Sequence, residues 1–592
     1  MSSPPDKNRQ MWRDTGERIG IRTAHAQKMP GNAWNRFSNR FALILVCGSL
    51  LYSLVHVLMR ESQEAASGFE VVSLAHWQLE PGVRDAFEAM AIKYNQERVR
   101  RGEKPIIFKQ LPVSEKGYGQ WVTTQLMGGT APDLIEMGNG LAPQVWASYR
   151  ARYFSPVTQD IMQANPYNKG TEFEKTPWKQ TYIDSMGLPA WDLQEYYDMG
   201  LSVFGVRIFY NKDLLKKLTA KLKDAGKWPT VDETPPNDTR KFLELCDRIG
   251  ELKDEQNRPY YAIAGSKYTF ERFLEMVVDP LTDYVKAGID TDLDGNASPD
   301  ETFLAAAEGR LKFDDPKLSR AMNMAREVTK RFQPGWRGLS RDDSVMLFVQ
   351  QRSIFISTGS WDALTLKRQT AKAEPRFEMS IAGFPTVSPA DPEWGDLAVG
   401  RAYERCSMAF AFGLTKTSRH PELALDLMRF LTNPENNEEL NRIIGWIPAI
   451  KGARPNEFLK EFTPNFDGPQ RGFNVDFGGQ TQVVKDQVFS QLLLGENGFS
   501  IKNWSEKMNT DWLAAGFNDY ERHSNEARDA LKMREAVCAV FRARRMAIAP
   551  DSPQAEFIGK QYRRITALSM DETRKLTDLE KKVRAVERAT AK

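Results

Sequence analysis

Histidine and cysteine are scarce in this chain of 592 residues. Five histidines are present, and the four cysteines lie far apart without a CxxC pair: Cys47, Cys246, Cys406 and Cys538. This spacing indicates neither a disulfide framework nor a zinc site. The chain also lacks GxSxG, HExxH and a glycine-rich phosphate loop, so the common hydrolase and metalloprotease motifs are missing. A carboxylate pair for glycoside hydrolysis has no such motif, so the sequence does not exclude a glycosidase.

Charge is distributed unevenly along the chain. The net charge is +3, but residues 1–40 carry +5 and residues 521–592 carry +6, which leaves −8 on the 480 residues between them. An acidic body lacks the electrostatic footprint of a nucleic-acid-binding protein, so we predict no nucleic-acid partner. The length predicts two or more lobes.

One apolar segment indicates the cellular location. Residues 41–59, FALILVCGSLLYSLVHVLM, contain no Asp, Glu, Lys or Arg and are long enough to span the roughly 30 Å apolar layer of a bilayer. The basic residues 1–40 then form a cytoplasmic tail, and the body lies outside as a single-pass membrane protein, periplasmic or extracellular. We predict an uncleaved signal anchor. The alternatives are a signal peptide cleaved near AAS (65–67), a lipoprotein signal ending at Cys47, and a buried core helix.

Strand-like and helical segments alternate after residue 69. FEVVSLAHW, KPIIFKQLPV and PDLIEMG read as strands, with amphipathic helical segments between them. The same pattern returns in LSVFGVRIFYN (201–211), YYAIAG (260–265) and SIFISTG (353–359). Alternation at this spacing predicts an α/β fold with crossover helices.

Five segments occur in the order found in one known family. They are GGTAPDLIEMGNG (128–140), VRIFYNKDLLKK (206–217), FVQQRSIFISTGSWD (348–362), KTSRHPELALDLMRFLTNPENNEEL (416–440) and GWIPAI (445–450). Over about residues 69–520 the chain resembles the bacterial extracellular solute-binding proteins of family 1, the sugar-binding components of ABC importers. Its long N-terminal tail and its C-terminal extension depart from that family.

The resemblance implies a periplasmic-binding-protein-like (type II) fold of two α/β lobes joined by hinge crossovers. Lobe one would contain residues 69–203 and 380–440, and lobe two residues 207–379 and 446–520, followed by a basic helical extension (521–592). It also implies a carbohydrate ligand held between the lobes, ABC transporter permease subunits as partners, and no enzymatic activity.

Candidate ligand residues lie where predicted strands end, because open α/β sheets bind ligands at the carboxyl ends of their strands. Sugar sites combine flat aromatic rings with polar side chains that bind hydroxyls. Trp361 matches the Gly-x-Trp turn of the family. The full predicted set is Trp77, Glu136, Asn139, Trp361, Asp362, Tyr403, Glu404, Arg405 and Trp446.

The stretch DTDLDGNASPDE (290–301) fits the twelve positions of an EF-hand loop. Its oxygen ligands would come from Asp290, Asp292, Asp294, Asn296, Ser298 and Glu301, with Gly295 at the sharp bend. Hard oxygen ligands at this spacing favour calcium over magnesium. We predict one structural Ca²⁺ site on an insertion in lobe two. The alternative is a solvated acidic loop.

Three functions follow from these features. The first is a binding protein that feeds an ABC importer. The second is a membrane-tethered ligand sensor, which the lack of a recognisable signalling domain in residues 1–40 disfavours. The third is a carbohydrate-active enzyme. The basic C-terminal helices would pack on lobe two, contact acidic lipids or a permease, or mediate oligomer contacts.

Overall fold

The structure, a computed structural model, describes residues 69–590 apart from 80–81, 139, 142, 187–194, 292, 294, 405–406, 477 and 496–497. The predicted cytoplasmic tail (1–40) and membrane anchor (41–59) lie outside these residues. Within the described residues, no helix combines the length and apolar character needed to cross a membrane.

The strands fall into two sheets. Their bounds are β1 Val71–His76, β2 Ile107–Pro112, β3 Leu134–Glu136, β4 Asp198–Phe204, β5 Val206–Asn211, β6 Tyr261–Ile263, β7 Ser353–Gly359, β8 Met379–Ala382, β9 Ser407–Leu414 and β10 Ile447–Pro448. The first sheet has the order β10-β4-β9-β3-β1-β2, and the second has the order β6-β7-β5-β8. The predicted α/β fold is confirmed, and its strands form two sheets.

Helices connect and cover these strands. Their bounds are α1 Val83–Arg100, α2 Glu115–Gly128, α3 Pro143–Tyr153, α4 Thr158–Ile161, α5 Trp178–Thr181, α6 Lys212–Asp224, α7 Thr239–Gly250, α8 Lys267–Phe273, α9 Lys286–Ile289, α10 Pro299–Ala307, α11 Pro316–Thr329, α12 Arg341–Val349, α13 Ala363–Lys372, α14 Pro421–Leu431, α15 Pro434–Ile444, α16 Gly479–Leu494, α17 Ile501–Lys507, α18 Leu513–Ala547 and α19 Pro553–Thr590. Polar caps begin several of them. The Asn211 side chain, for example, accepts from the Leu214 N–H at the start of α6, which satisfies an otherwise unpaired donor.

Strand pairing decides which sheet each segment joins. β1 and β3 run parallel, whereas β9 is antiparallel to both β3 and β4. In the second sheet β6 and β7 are parallel, and β5 is antiparallel to β7 and β8. The chain passes from β4 to β5 through Gly205 alone, so the run 201–211 that reads as one strand belongs to two sheets.

Two predicted lobe boundaries differ from the structure. We assigned residues from 380 onward to lobe one, but Ala382 of β8 pairs with Ile208 of the second sheet. We assigned residues from 446 onward to lobe two, but Ile447 of β10 pairs with Val203 of the first sheet. The sequence pattern of a strand does not identify its partner, and the partner fixes the sheet.

The two faces of β5 contribute to different apolar clusters. Ile208 and Tyr210 join a cluster built from the helices of the second lobe and the segment 473–520. Phe209 joins a second cluster, which contains residues of the first sheet and of the opposite face of the second sheet. This division follows from the alternation of side chains along a strand.

The C-terminal extension is an antiparallel pair of long helices, α18 and α19, as the charged helical pattern predicted. Arg528 pairs with Glu580 at 2.6 Å and Arg534 pairs with Glu572, which fixes the register of the two helices. The base of the pair packs on α10, where the Phe303 ring lies 5.1 Å from that of Phe517.

Candidate functional site

The site starts at the end of β7, where the chain turns through Gly359 to Trp361. The half-buried Trp361 indole folds back over Gly359 so closely that a Cβ atom at residue 359 would lie 2.2 Å from the ring. Only glycine allows this approach. The sequence GSW therefore fixes the position of one flat aromatic side chain.

Two other rings surround Trp361. The Phe204 ring, at the end of β4, lies 5.2 Å from it, and the Tyr268 ring, in the first turn of α8, lies 6.5 Å away in an edge-on arrangement. Phe204 belongs to the first sheet, whereas Tyr268 follows the end of β6 in the second. The aromatic cluster thus forms at the junction of the two sheets.

Polar groups lie around this cluster. Burial raises the pKa of the Asp362 carboxyl, although Arg341 at 3.5 Å and the Thr358 hydroxyl at 2.5 Å favour its charged form. The Arg272 guanidinium lies 5.1 Å from the centre of the Tyr268 ring. Carboxylate, guanidinium and phenol together offer both acceptors and donors to a polar ligand.

Tyr268 and Arg272 carry buried polar atoms that a ligand could satisfy. Among the described residues, neither the Tyr268 Oη nor the Arg272 Nε has a hydrogen-bond partner. Burial raises the pKa of Tyr268 to about 12, so the hydroxyl stays protonated and can donate. A buried donor without a partner costs stability, and a ligand hydroxyl could supply the missing acceptor.

A polar cavity of about 610 Å³ adjoins this cluster at Arg272. Its wall carries alternating charges, with Arg471 between Asp279 at 2.9 Å and Asp476 at 3.3 Å. Burial raises the pKa of Asp279 against the opposing effect of Arg471. Tyr403, one of the predicted ligand residues, lines the same cavity. The volume is in the range of small-molecule sites.

Trp77 and Glu136 lie together in the first sheet. Trp77 is half-buried at the end of β1, and its ring contacts Tyr118 edge-on at 5.1 Å. Glu136 is fully buried and accepts from the Trp77 N–H at 3.1 Å and from the Gln78 side chain at 2.7 Å. Glu136 therefore positions Trp77, and its contact with a ligand stays a prediction.

Trp446 is also a support rather than a surface group. It is 1% exposed, and its ring meets Phe204 at 5.0 Å and Phe410 at 5.1 Å, both edge-on. It precedes β10, whose pairing with β4 draws it beneath Phe204. The structure thus places Trp446 in the core below the cluster, and its contact with a ligand stays a prediction.

Glu404 forms a buried ion pair instead of facing the cavity. Its carboxylate lies 2.9 Å from Arg207 and 2.6 Å from Arg401. Arg207, which is 1% exposed, also donates to the carbonyls of Glu461 and Thr463. Glu404 therefore joins β5 to the segment 461–463 through Arg207, and its contact with a ligand stays a prediction. Asn139 and Arg405 lie outside the described residues.

The acidic loop 290–301 joins α9 to α10. The Asp290 carboxylate accepts from the Gly295 N–H at 2.9 Å, and Glu301 accepts from the N–H groups of Thr291 and Ser298. Ser298 in turn accepts from Glu301, so the pair forms a helix-capping box,. Asp292 and Asp294 lie outside the described residues, and the residues that are described contain no group of three His, Cys, Asp or Glu side chains able to hold a metal.

The sequence analysis missed Tyr268, Arg272, Arg341 and Phe204. Tyr268 and Arg272 follow YYAIAG, a strand that the sequence did predict, so the rule of strand ends could have found them. The positions of Phe204 and Arg341 in the site depend on the pairing and packing of other elements, so sequence patterns do not predict them.

Comparison with known proteins identifies the family. The profile described as "Bacterial extracellular solute-binding protein" matches residues 106–465. The chain belongs to this family. The family resemblance seen in the sequence is thereby confirmed, and members of this family are binding proteins that work outside the cytoplasm.

Individual members of the family are distant in sequence. The chain is 21% identical over 345 residues to a multiple sugar-binding protein of Streptococcus mutans, which covers 57% of this chain and 67% of that protein. A solute-binding protein solved in complex with raffinose is 14% identical, with a TM-score of 0.44 over 75% of this chain and 99% of its own. A maltose/maltodextrin-binding domain from Bdellovibrio bacteriovorus bound to maltotriose is 14% identical, with a TM-score of 0.46 over 76% and 99%.

Proposed function

We propose that this solute-binding protein captures a carbohydrate at the junction of its two lobes and delivers it to the permease of an ABC importer, without turnover. Family membership supports the binding role. The name of the S. mutans relative refers to multiple sugars, which favours a sugar over other polar solutes.

The chemistry of the site supports a sugar ligand. A pyranose presents apolar C–H faces and a ring of hydroxyls, so it needs flat aromatic surface beside hydrogen-bonding groups. Trp361 supplies the surface, and Asp362, Tyr268 and Arg272 lie around it. The observation that carries the proposal is this fixed indole beside Tyr268, whose neighbour Arg272 lines a cavity of about 610 Å³.

The test is a titration of the full chain with mono- and oligosaccharides, followed by calorimetry and tryptophan fluorescence. We expect saturable binding of one sugar class without product formation, and we expect Trp361→Ala to weaken it at least about tenfold. Trp228→Phe is the control. Trp228 donates a hydrogen bond to Asp232 in the segment after α6 and is not part of the aromatic cluster around Trp361. If no sugar binds, or if Trp361→Ala binds normally, the proposal is wrong.

We also propose that the loop 290–301 holds a structural calcium ion. Support comes from the helices on both sides, since α9 ends at Ile289 and α10 begins at Pro299, the context that an EF-hand loop requires. Calcium would have to exchange for the hydrogen bonds that the Glu301 carboxylate now accepts. Calcium should raise the melting temperature of the full chain, and the double variant Asp292→Asn/Asp294→Asn should abolish the rise. Asp300→Asn is the charge control, and an unchanged melting temperature with calcium would refute the site.

We propose, finally, that residues 41–59 anchor the body at the outer face of the cytoplasmic membrane. Support comes from the uncharged length of this segment and the basic residues before it,. N-terminal sequencing of the protein recovered from membranes tests this. A mature chain that begins after residue 60 would refute the anchor.

A further inference from the structure

The far end of the C-terminal helix pair carries concentrated positive charge. We call residues 536–570, which join the end of α18 to the start of α19, the hairpin tip. It contains two acids, Asp551 and Glu556, and six cationic side chains: Arg542, Arg544, Arg545, Lys560, Arg563 and Arg564. The tip is therefore strongly basic, whereas residues 41–520 are acidic.

The two helices bring these cations to the same level. The Arg534–Glu572 pair sets the antiparallel register, and the Arg545 guanidinium lies 5.9 Å from the centre of the Tyr562 ring. Residues 542–545 of α18 therefore lie beside residues 561–564 of α19. At a rise of about 1.5 Å per residue, the six cations occupy about 7 Å of the helix axis.

Little of this charge is neutralised within the protein. All six side chains are exposed, and within the described part of the chain only Lys560 has a carboxylate within 4 Å, that of Glu556 at 2.8 Å. Arg564 acts at longer range on Glu195, where it opposes the rise in pKa that burial causes. Nearer the base, by contrast, Arg528 and Arg534 both have acidic partners.

Exposed apolar side chains accompany these cations. Met546 in the last turn of α18 is 80% exposed, and Val540 one and a half turns earlier is 51% exposed. Arginines bind phosphate groups, and apolar side chains beside them can enter the interface below the headgroups. This combination distinguishes a membrane-binding surface from a merely solvated helix face.

We propose that the hairpin tip docks on the surface of an anionic phospholipid bilayer. The acidic body would be repelled by such a surface while the tip is attracted, so the opposed charges would also orient the molecule. This role goes beyond ligand capture. It does not depend on the sugar site, on the calcium loop or on the segment 41–59.

The test compares the full chain on vesicles of neutral phosphatidylcholine and on vesicles with about 30% phosphatidylglycerol, using hydrogen exchange as the readout. Exchange of the amides of 536–570 should slow at least about tenfold on the anionic vesicles alone and recover in about 0.5 M salt. The variant Arg542→Gln/Arg544→Gln/Arg545→Gln should lose this protection. The control Lys217→Gln/Lys221→Gln/Lys223→Gln removes three exposed cations from α6 and should keep it.

A second variant separates docking from folding. Met546→Ser leaves every charge in place and changes only an exposed side chain, so it should reduce the protection severalfold while the helix content stays constant. Equal exchange on the two kinds of vesicle would overturn the proposal. So would protection that the triple arginine variant keeps, or protection that appears only when an acidic protein partner is added.

Discussion

The buried ion pair between Arg207 and Glu404 makes the sharpest test of the site assignment. Glu404 is 8% exposed, and its carboxylate lies 2.9 Å from a guanidinium that is 1% exposed. Glu404→Ala would leave the Arg207 charge buried without its carboxylate. Burial already lowers the pKa of Arg207, and the Glu404 charge opposes that effect. We therefore expect Glu404→Ala to lower the free energy of unfolding.

The magnitude follows from what Arg207 retains. Removing one partner of a buried pair costs about 3–5 kcal/mol. The guanidinium would keep three backbone acceptors, the carbonyls of Val206, Glu461 and Thr463, so we expect the lower end, about 3 kcal/mol. With an unfolding entropy near 2.1 cal/mol/K per residue, a cooperative unit of roughly 500 residues would melt about 3 °C lower.

Calorimetry of unfolding and sugar titration on the same variant test whether Glu404 stabilises the fold or binds the sugar. The predicted result is a lower melting temperature with the sugar affinity nearly unchanged. Glu378→Ala is the control, because it removes an exposed carboxylate 3.3 Å from Lys212 and should cost less than about 1 kcal/mol. A Glu404→Ala variant with normal stability and much weaker sugar binding would refute the structural role and restore the ligand contact that the sequence analysis predicted.

Three further outcomes follow from the site and its surroundings. Gly359→Ala should weaken sugar binding about tenfold, because the added Cβ atom would lie 2.2 Å from the Trp361 ring and would displace it,; titration measures this. Tyr268→Phe should lower the affinity without lowering the free energy of unfolding, because the buried hydroxyl has no partner among the described residues,. Hydrogen bonds from Arg240 lower the pKa of Asp391 from 3.8 to about 2, so the stabilisation is present above pH 3.8 and is lost as the pH falls through about 2. Arg240→Gln should remove that part of the acid dependence in pH-dependent melting.

Each outcome has a matched check. Gly288→Ala adds a methyl group where no atom lies within 4 Å, so it should leave binding unchanged. A Tyr268→Phe variant that is destabilised yet binds normally would contradict the proposed donor. Identical melting curves of the wild type and Arg240→Gln between pH 2 and 4 would refute the role of Asp391.

Local pattern determined much of the fold from the sequence alone. SIFISTG predicted a strand over residues 353–359, and β7 has those bounds. The charged run after residue 520 predicted long helices, and α18 and α19 occupy it. Five ordered segments also identified the family. Such inferences succeed because periodicity, glycine turns and charge act between residues that are close in the chain.

Tertiary structure alone decided the surroundings of each described candidate residue. Trp361 and Trp446 are the same residue type, each near a strand, yet one is half-buried over a glycine and the other is 1% exposed beneath Phe204. The run 201–211 has one continuous pattern, yet it divides at Gly205 between two sheets. Burial and strand pairing depend on partners more than a hundred residues away, such as Ala382 for Ile208, and local sequence does not specify those partners.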